Sequence, residues 1–266
     1  MMQESIALIH DRKLISDYLS LDRVWASEAL MSLDDRIWSV ASWYGHQEGT
    51  NLGLALMFKH LSPTPVFLAG EPNCLAYIIR SEIIPKTIFV EAPISCIGIL
   101  KEHYHFDSAL IMHKMKLEHF RFNSFPVSSE VRRLAPEDFP KARDLYFRNV
   151  EKGVFDVDQF NHGIYFGVQK EDKLVSMAGT TVLCFDYRTA TIGNVITDSD
   201  YRNKGYATSA LLLLCQSLQE EVFDCISIKV NRGNAQAILL YRRIGFIKKN
   251  EYFEGIGKSI RGNHHG

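Results

Sequence analysis

Thr191-Ile192-Gly193-Asn194-Val195-Ile196-Thr197-Asp198-Ser199-Asp200-Tyr201-Arg202-Asn203-Lys204-Gly205-Tyr206-Ala207-Thr208 is the stretch whose reading decides the fold. A β-branched run, Val195-Ile196-Thr197, turns through residues 198–201 into a basic, glycine-containing loop. The loop opens a long apolar helix expected from Ala207 to Val222, with Ala207, Leu211, Leu214, Leu218 and Val222 on one stripe. A second run, Ile226 to Val230, leads through Asn231-Arg232-Gly233-Asn234 into another helix that stops at Gly245-Phe246. Strand, loop, helix, strand and helix therefore follow one another in a single α/β unit.

A helix N-terminus carries backbone N–H groups with no partner inside the helix and the positive end of the macrodipole. Both suit a pyrophosphate. Gly205 lets the backbone approach closely, Ala207 keeps the first turn small, and Arg202 and Lys204 add positive charge. Taken alone, Arg-x-x-Gly-x-Ala reads equally as a glycine-capped polar turn with solvated basic residues. The G-x-x-x-x-G-K-[ST] loop and the dinucleotide glycine triplet are both absent. The second junction favours the phosphate reading. Asn234 is a good N-cap for a helix over Ala235 to Ile244, on which Ala237, Leu240, Tyr241 and Ile244 share a face. Asn234 and Tyr241 are two turns apart and look toward one groove. Tyr241 reads either as a packed, half-buried tyrosine or as a neutral phenol that protonates a departing thiolate.

With these residues in place, 191–246 is similar to the core of the GNAT superfamily of acyl-CoA N-acyltransferases. The matching residues are the strand Thr191 to Thr197, Tyr201 to Ala207, then Asn234, Ala237, Tyr241 and Gly245-Phe246. Upstream, Val131 to Asp138 resembles the opening strand and helix start of the same fold, so the likeness spans roughly 128–257. The glycine N-acyltransferase-like subgroup resembles the chain most, because it too sets a divergent domain before the acyltransferase core. The resemblance implies acetyl-CoA as the acyl donor, with no metal. It implies that backbone groups of Val195, Ile196 and Thr197 bind the pantetheine arm. It further implies that Arg202, Asn203, Lys204, Gly205, Tyr206, Ala207 and Thr208 hold the pyrophosphate, that Asn234 contacts the cofactor, and that Tyr241 is the catalytic acid. The match departs at Asn203 and Ala207, where glycine is usual.

Composition agrees with a soluble enzyme in a reducing, cytoplasmic setting. The 266 residues are 46% hydrophobic and 23% charged with a net charge of −1, which gives no global field toward nucleic acid or an anionic membrane. No apolar run of about 20 residues spans a bilayer, and the N-terminus lacks a signal-peptide pattern. Cys74, Cys96, Cys184, Cys215 and Cys225 are dispersed and lack metal-ligand spacing, as expected of thiols rather than disulfides.

The polar, proline-punctuated stretch 123–130 divides the chain into an N-terminal α/β domain, 1–127, and a GNAT-type domain, 128–266. The first is expected to hold strands at Leu52–Phe58, Pro65–Ala69, Lys86–Val90 and Ala109–Leu117. Helices are expected at Asp22–Leu30, Asn73–Arg80 and Ser95–His103, and the domain could be a degenerate copy of the second. Trp25, Trp38 and Trp43 are read as its core, and its histidines as packing or surface groups. It either shapes the acceptor pocket or mediates homodimerisation, and the sequence does not choose. The second domain is expected to add a helix over Lys141–Val150 and strands at Ile164–Gln169, Lys173–Phe185, Ala190–Thr197, Phe246–Asn250 and Tyr252–Gly257. The fold class expected is a mixed, twisted α/β sheet flanked by helices.

The expected reaction is direct attack of a primary amine, from a small molecule or amino acid, on the thioester in a ternary complex, since no nucleophile motif is present. The general base is unassigned: Thr191 and Asn194 cannot take a proton, His162 is a candidate that also reads as an inert loop histidine, and Asp198 also reads as a turn-binding residue. A non-catalytic acyl-CoA sensor and a transferase acting on protein lysines or N-termini are the alternatives.

Overall fold

The structure, a computed structural model, describes residues 5–122, 125–150, 153 and 155–260. Residues 123 and 124, the start of the expected linker, lie outside them. The chain folds as two compact units, one from 1–113, 231–233 and 250–266, the other from 114–230 and 234–249.

The first unit opens with β1 (Ala7–Leu8), α1 (Arg12–Leu19), α2 (Ser27–Met31) and α3 (Asp35–Trp38). β2 (Ser42–Glu48), β3 (Asn51–Met57), β4 (Thr64–Gly70), α4 (Pro72–Arg80), β5 (Thr87–Pro93), α5 (Ile97–His103) and β6 (Tyr104–Leu117) follow. β1 to β4 pair antiparallel in order, and β5 joins β4 in parallel because α4 carries the chain across between them. Cys74, Leu75, Ile78 and Ile79 are buried at helical spacing on α4, the last three clustered with Ala55, Leu68 and Val90. Trp25 and Trp43 are buried and donate their ring N–H to Leu68 O and Ser32 Oγ, at 3.2 and 3.1 Å. Trp38 is half-buried under the Arg12 guanidinium, 4.6 Å from the ring centre. The Asp22–Leu30 helix is shorter than its sequence suggests, a tight turn at 20–22 and then α2.

The second unit runs β7 (Val131–Arg133), α6 (Phe139–Asn149), α7 (Val157–His162), β8 (Tyr165–Lys170), β9 (Lys173–Cys184), β10 (Thr189–Thr197), α8 (Tyr206–Glu220), β11 (Cys225–Asn231), α9 (Ala235–Ile244) and β12 (Phe246–Ser259). Strands β7 to β10 are antiparallel, and β11 joins β10 in parallel after the α8 crossover. The two expected strands after Phe246 are one continuous β12, whose residues 250–259 belong to the first unit, where 252–258 pair antiparallel with β5. The expected mixed sheet flanked by helices is the fold observed.

Two apolar clusters cover the second unit's sheet. One joins α8 and α9 to Ala190, Ile192 and Ile228, with Leu211, Leu214 and Leu218 fully buried. Val222, the last residue of the expected stripe, lies past the helix end and is exposed. The other joins Leu145, Tyr146, Phe155, Phe160, Tyr165 and Met177. α7, which no apolar periodicity announces, is capped by Asp156, whose side chain accepts from Gln159 N.

Candidate active site

The site begins where two strands part. β10 and β11 are paired from Thr189↔Cys225 to Ile192↔Ile228, and no pairing follows. The last paired turn is tied by a buried hydroxyl contact, Thr191 Oγ1 to Ser227 Oγ at 3.0 Å. Beyond it, one edge of β10 presents backbone groups to the opening.

A bulge shapes that edge. On the β9 side Gly193 pairs Gly179 and Ile196 pairs Met177, so Asn194 and Val195 together oppose Ala178. Asn194 takes φ 51 there. An extra residue reverses the side-chain alternation. Accordingly Ala190, Ile192 and then Val195 pack with the α8 cluster, while Ile196 packs with the aromatic one. The Asn194 amide donates to the Tyr165 hydroxyl at 3.2 Å, and that hydroxyl donates to Thr180 O at 3.0 Å. Thr197 is held by Ser176, Oγ1 to Oγ at 2.8 Å.

The loop from Asp198 to Gly205 presents the N-terminus of α8. Asp198 accepts from Asp200 N and pairs with Arg148 at 3.4 Å, which pins the turn. Gly205 is the N-cap with φ 78, a left-handed value natural to glycine, and no side chain caps the helix. A Cβ on Gly205 would meet nothing within 4 Å. Asn203, where the resemblance leads one to expect glycine, takes φ 63, which asparagine tolerates better than most residues. The first intrahelical bond in this turn is Ser209 N to Gly205 O at 3.0 Å, which leaves the N–H groups of Tyr206, Ala207 and Thr208 directed out of the helix end. The two rim cations are exposed and held by their own loop: Arg202 Nε donates to Thr197 O at 3.2 Å, and Lys204 sits 4.7 Å over the Tyr201 ring. Tyr206 is a buried core ring, while Ala207 and Thr208 are half-buried.

On α9, Asn234 caps the helix, its Oδ1 accepting from Ala237 N at 3.0 Å. Tyr241 lies two turns on, about 10 Å along the axis. It is 6% exposed, with its ring 6.1 Å from Phe246. Its hydroxyl makes no hydrogen bond to a described residue, and burial pushes its pKa up to about 12. Ile238 is more deeply buried on this helix than the expected face residues Ala237 and Leu240. His162 closes α7, with Nδ1 2.8 Å from Asp158 O. Since a carbonyl oxygen only accepts, Nδ1 is the donor in that contact.

The Tyr165 contact with Asn194 has no signal in the sequence, since strand alternation marks Tyr165 only as a core residue. Among the described residues no cluster of three His, Cys, Asp or Glu side chains could hold a metal, and no helix is long and apolar enough to cross a membrane.

Comparison with known proteins agrees with this geometry. Residues 129–246 match the model of the Acetyltransferase (GNAT) family. No curated protein sequence matches the chain. Among solved structures, a Drosophila protein aligns over 94% of this chain and 98% of its own, with 13% identity and a TM-score of 0.68. A GNAT-family acetyltransferase from Colwellia psychrerythraea aligns over 96% of this chain and 100% of its own, with 13% identity and a TM-score of 0.59. A putative acetyltransferase of the GNAT family from Novosphingobium aromaticivorans covers 73% of this chain and 83% of its own, at 19% identity and a TM-score of 0.53. At such identities these likenesses speak to fold. The segment 129–246, with its parted strands and open helix N-terminus, is thus similar to the acetyltransferase (GNAT) family.

Proposed function

We propose that the protein transfers an acetyl group from acetyl-CoA to a primary amine, carried by a small molecule or an amino acid, by direct attack in a ternary complex. One observation carries this reading: β10 leaves β11 after Ile192 beside a helix N-terminus that has no side-chain cap and open space over Gly205. A pyrophosphate supplies the acceptors that the amides of Tyr206, Ala207 and Thr208 lack. The pantetheine arm then runs as an extra strand along Val195, Ile196 and Thr197, with Asn234 across from it. Backbone N–H groups at the bulge stabilise the oxyanion as the amine attacks. Tyr241, kept neutral by burial, gives its proton to the leaving thiolate. The products are an amide and free CoA. Asp198 is engaged by Arg148 and by its own turn, which argues against it as the base.

The glycine N-acyltransferase-like reading, with a divergent domain ahead of the catalytic one, draws support from topology. In each unit four antiparallel strands are followed by a helical crossover and a parallel fifth strand: β1–β4, α4, β5 and β7–β10, α8, β11. The first unit is then a degenerate copy. Its β4–α4 junction is unsuited to phosphate, since it carries the acidic Glu71, and a Cβ on Gly70 would collide with the backbone of Leu52 and Gly53. None of the five cysteines forms a disulfide, in keeping with a reducing, cytoplasmic setting.

The test is calorimetric titration with acetyl-CoA, followed by a free-thiol assay across amines and amino acids. Micromolar binding with thiol release for one class of acceptor is the expected result. Absence of binding overturns the reading. Binding without turnover would favour a sensor or a protein acceptor.

A further inference from the structure

We infer that Asn194 orients the incoming amine, with its side-chain carbonyl oxygen accepting an N–H from the nucleophile, and that Tyr165 is the positioning residue that aims it. The inference rests on the acetyl-transfer reading above and deepens it.

Hydrogen-bond accounting supports this role. A phenol has one proton to give. The Tyr165 hydroxyl lies 3.0 Å from Thr180 O, an atom that can only accept, so the proton is committed there. The Asn194 atom facing that hydroxyl, at 3.2 Å, must therefore be the NH2 group. This fixes the amide orientation and turns Oδ1 away from Tyr165. Oδ1 accepts no hydrogen bond from a described residue, and it is not among the buried polar atoms without a partner. Burial raises the Tyr165 pKa, so its proton stays in place through any working pH. The ring itself is held over Gly179, against Phe155 and Phe160.

Asn194 also occupies the bulge at the point where β10 and β11 part, directly before the stretch assigned to the pantetheine arm. A primary amine has two N–H bonds and a lone pair. One N–H donated to Oδ1 leaves the lone pair free to form the new C–N bond. The C–S bond breaks, Tyr241 protonates the thiolate, and the proton shed by the new amide nitrogen passes to solvent, from which the Tyr241 phenolate is reprotonated. A carboxamide cannot accept the proton shed by an ammonium ion. Among the described residues, the titratable groups acting on Tyr165 are the Tyr146 phenol and Asp156, whose Oδ1 already accepts from Gln159 N at 2.8 Å. His162, one residue before Gly163, has Nδ1 engaged by Asp158 O. Asp198, further along the chain after β10, is paired with Arg148. On this inference the amine arrives neutral, and the reaction selects acceptors by the availability of their free base.

The experiment follows initial rates at saturating acetyl-CoA from about pH 6 to about pH 11. It uses two primary amines that react, glycinamide and n-propylamine in the first instance, representing pKa values of about 8 and about 10.4. In the wild type, kcat/KM for each amine should rise with pH up to that amine's own pKa, giving two separate limbs. Asn194→Asp supplies a carboxylate base and should move both limbs to lower pH. Asn194→Gly removes the side chain without straining the positive φ, and should lower kcat about tenfold to a hundredfold with acetyl-CoA affinity unchanged. Tyr165→Phe should lower kcat while leaving the limbs where they are. A single limb shared by both amines, or an Asn194→Gly variant with wild-type kcat, would overturn this inference alone. Failure of the wild type to bind acetyl-CoA, or to acetylate any primary amine, would remove the underlying reading and this inference with it.

Discussion

The ring of Tyr165 occupies the place where a side chain on Gly179, its register partner on β9, would stand. A Cβ there would overlap Cδ1 and Cε1 of the ring, so the small residue and the large one are a matched pair. Because the hydroxyl of the same ring receives the Asn194 amide, the fit passes directly to the bulge in β10.

Gly179→Ala should force Tyr165 out of position, at a cost of about 1–3 kcal/mol typical of overpacking a core. Urea unfolding measures that loss. If the ring aims Asn194, turnover should fall as well, beyond what the reduced folded fraction explains. A variant with wild-type stability and turnover would show that the ring moves aside freely.

Much of the second unit is legible in the sequence because local chemistry determines it. Asn234 and Gly245 mark the ends of α9 by capping, and the basic loop with Gly205 marks the start of α8. The bulge at Asn194 and Val195 is not legible, because register is a relation between β10 and β9 and no single strand records it. β12 reads as two strands because Lys248, Lys249, Asn250 and Glu251 break its apolar run, yet hydrogen bonding on both sides carries it through. β2 escapes notice because Gly45, His46 and Gln47 hide its alternation, and α1 and α7 because each is short with few buried residues. Among the site residues, the loop can be placed from sequence. The fact that Arg202 and Lys204 fold back on Thr197 and Tyr201 cannot.

Gly205 combines a positive φ with open space above it. Gly205→Val should therefore cost about 1–2 kcal/mol in folding, the usual penalty for a left-handed L-residue. Its effect on acetyl-CoA affinity should be larger, since the new side chain projects to where phosphate must approach. Titration calorimetry on the folded variant separates the two, and wild-type affinity would contradict the loop's assignment.

Tyr241→Phe should lower kcat by about a hundredfold or more, the range for losing a general acid, while acetyl-CoA affinity holds. Unchanged turnover would remove Tyr241 as the acid. The buried phenol also has a stability signature. Its folded pKa, about 12, lies above the ordinary value of 10, so its contribution is complete below pH 10 and is lost as pH rises toward 12. Tyr241→Phe should flatten that alkaline decline, as urea midpoints across the range would report.

Acid should act on the opposite edge of the stability curve through Arg132 and Asp138. Arg132 holds both carboxylate oxygens of Asp138, at 2.7 and 2.6 Å, and Asp138 also accepts from Ala135 N at 2.8 Å to set the start of α6. The Arg132 hydrogen bonds are the main reason the Asp138 pKa is lowered, against a desolvation penalty that would raise it. A depressed folded pKa means that the pair stabilises the fold above the ordinary carboxylate value and loses that contribution as pH falls through the folded one. Since the Arg132 side chain is 45% exposed, solvent screening limits the pair to about 1 kcal/mol. Arg132→Ala should therefore lower the urea midpoint at neutral pH and narrow its difference from wild type under strongly acidic conditions. An equal deficit at both pH values would mean that Arg132 acts through packing alone.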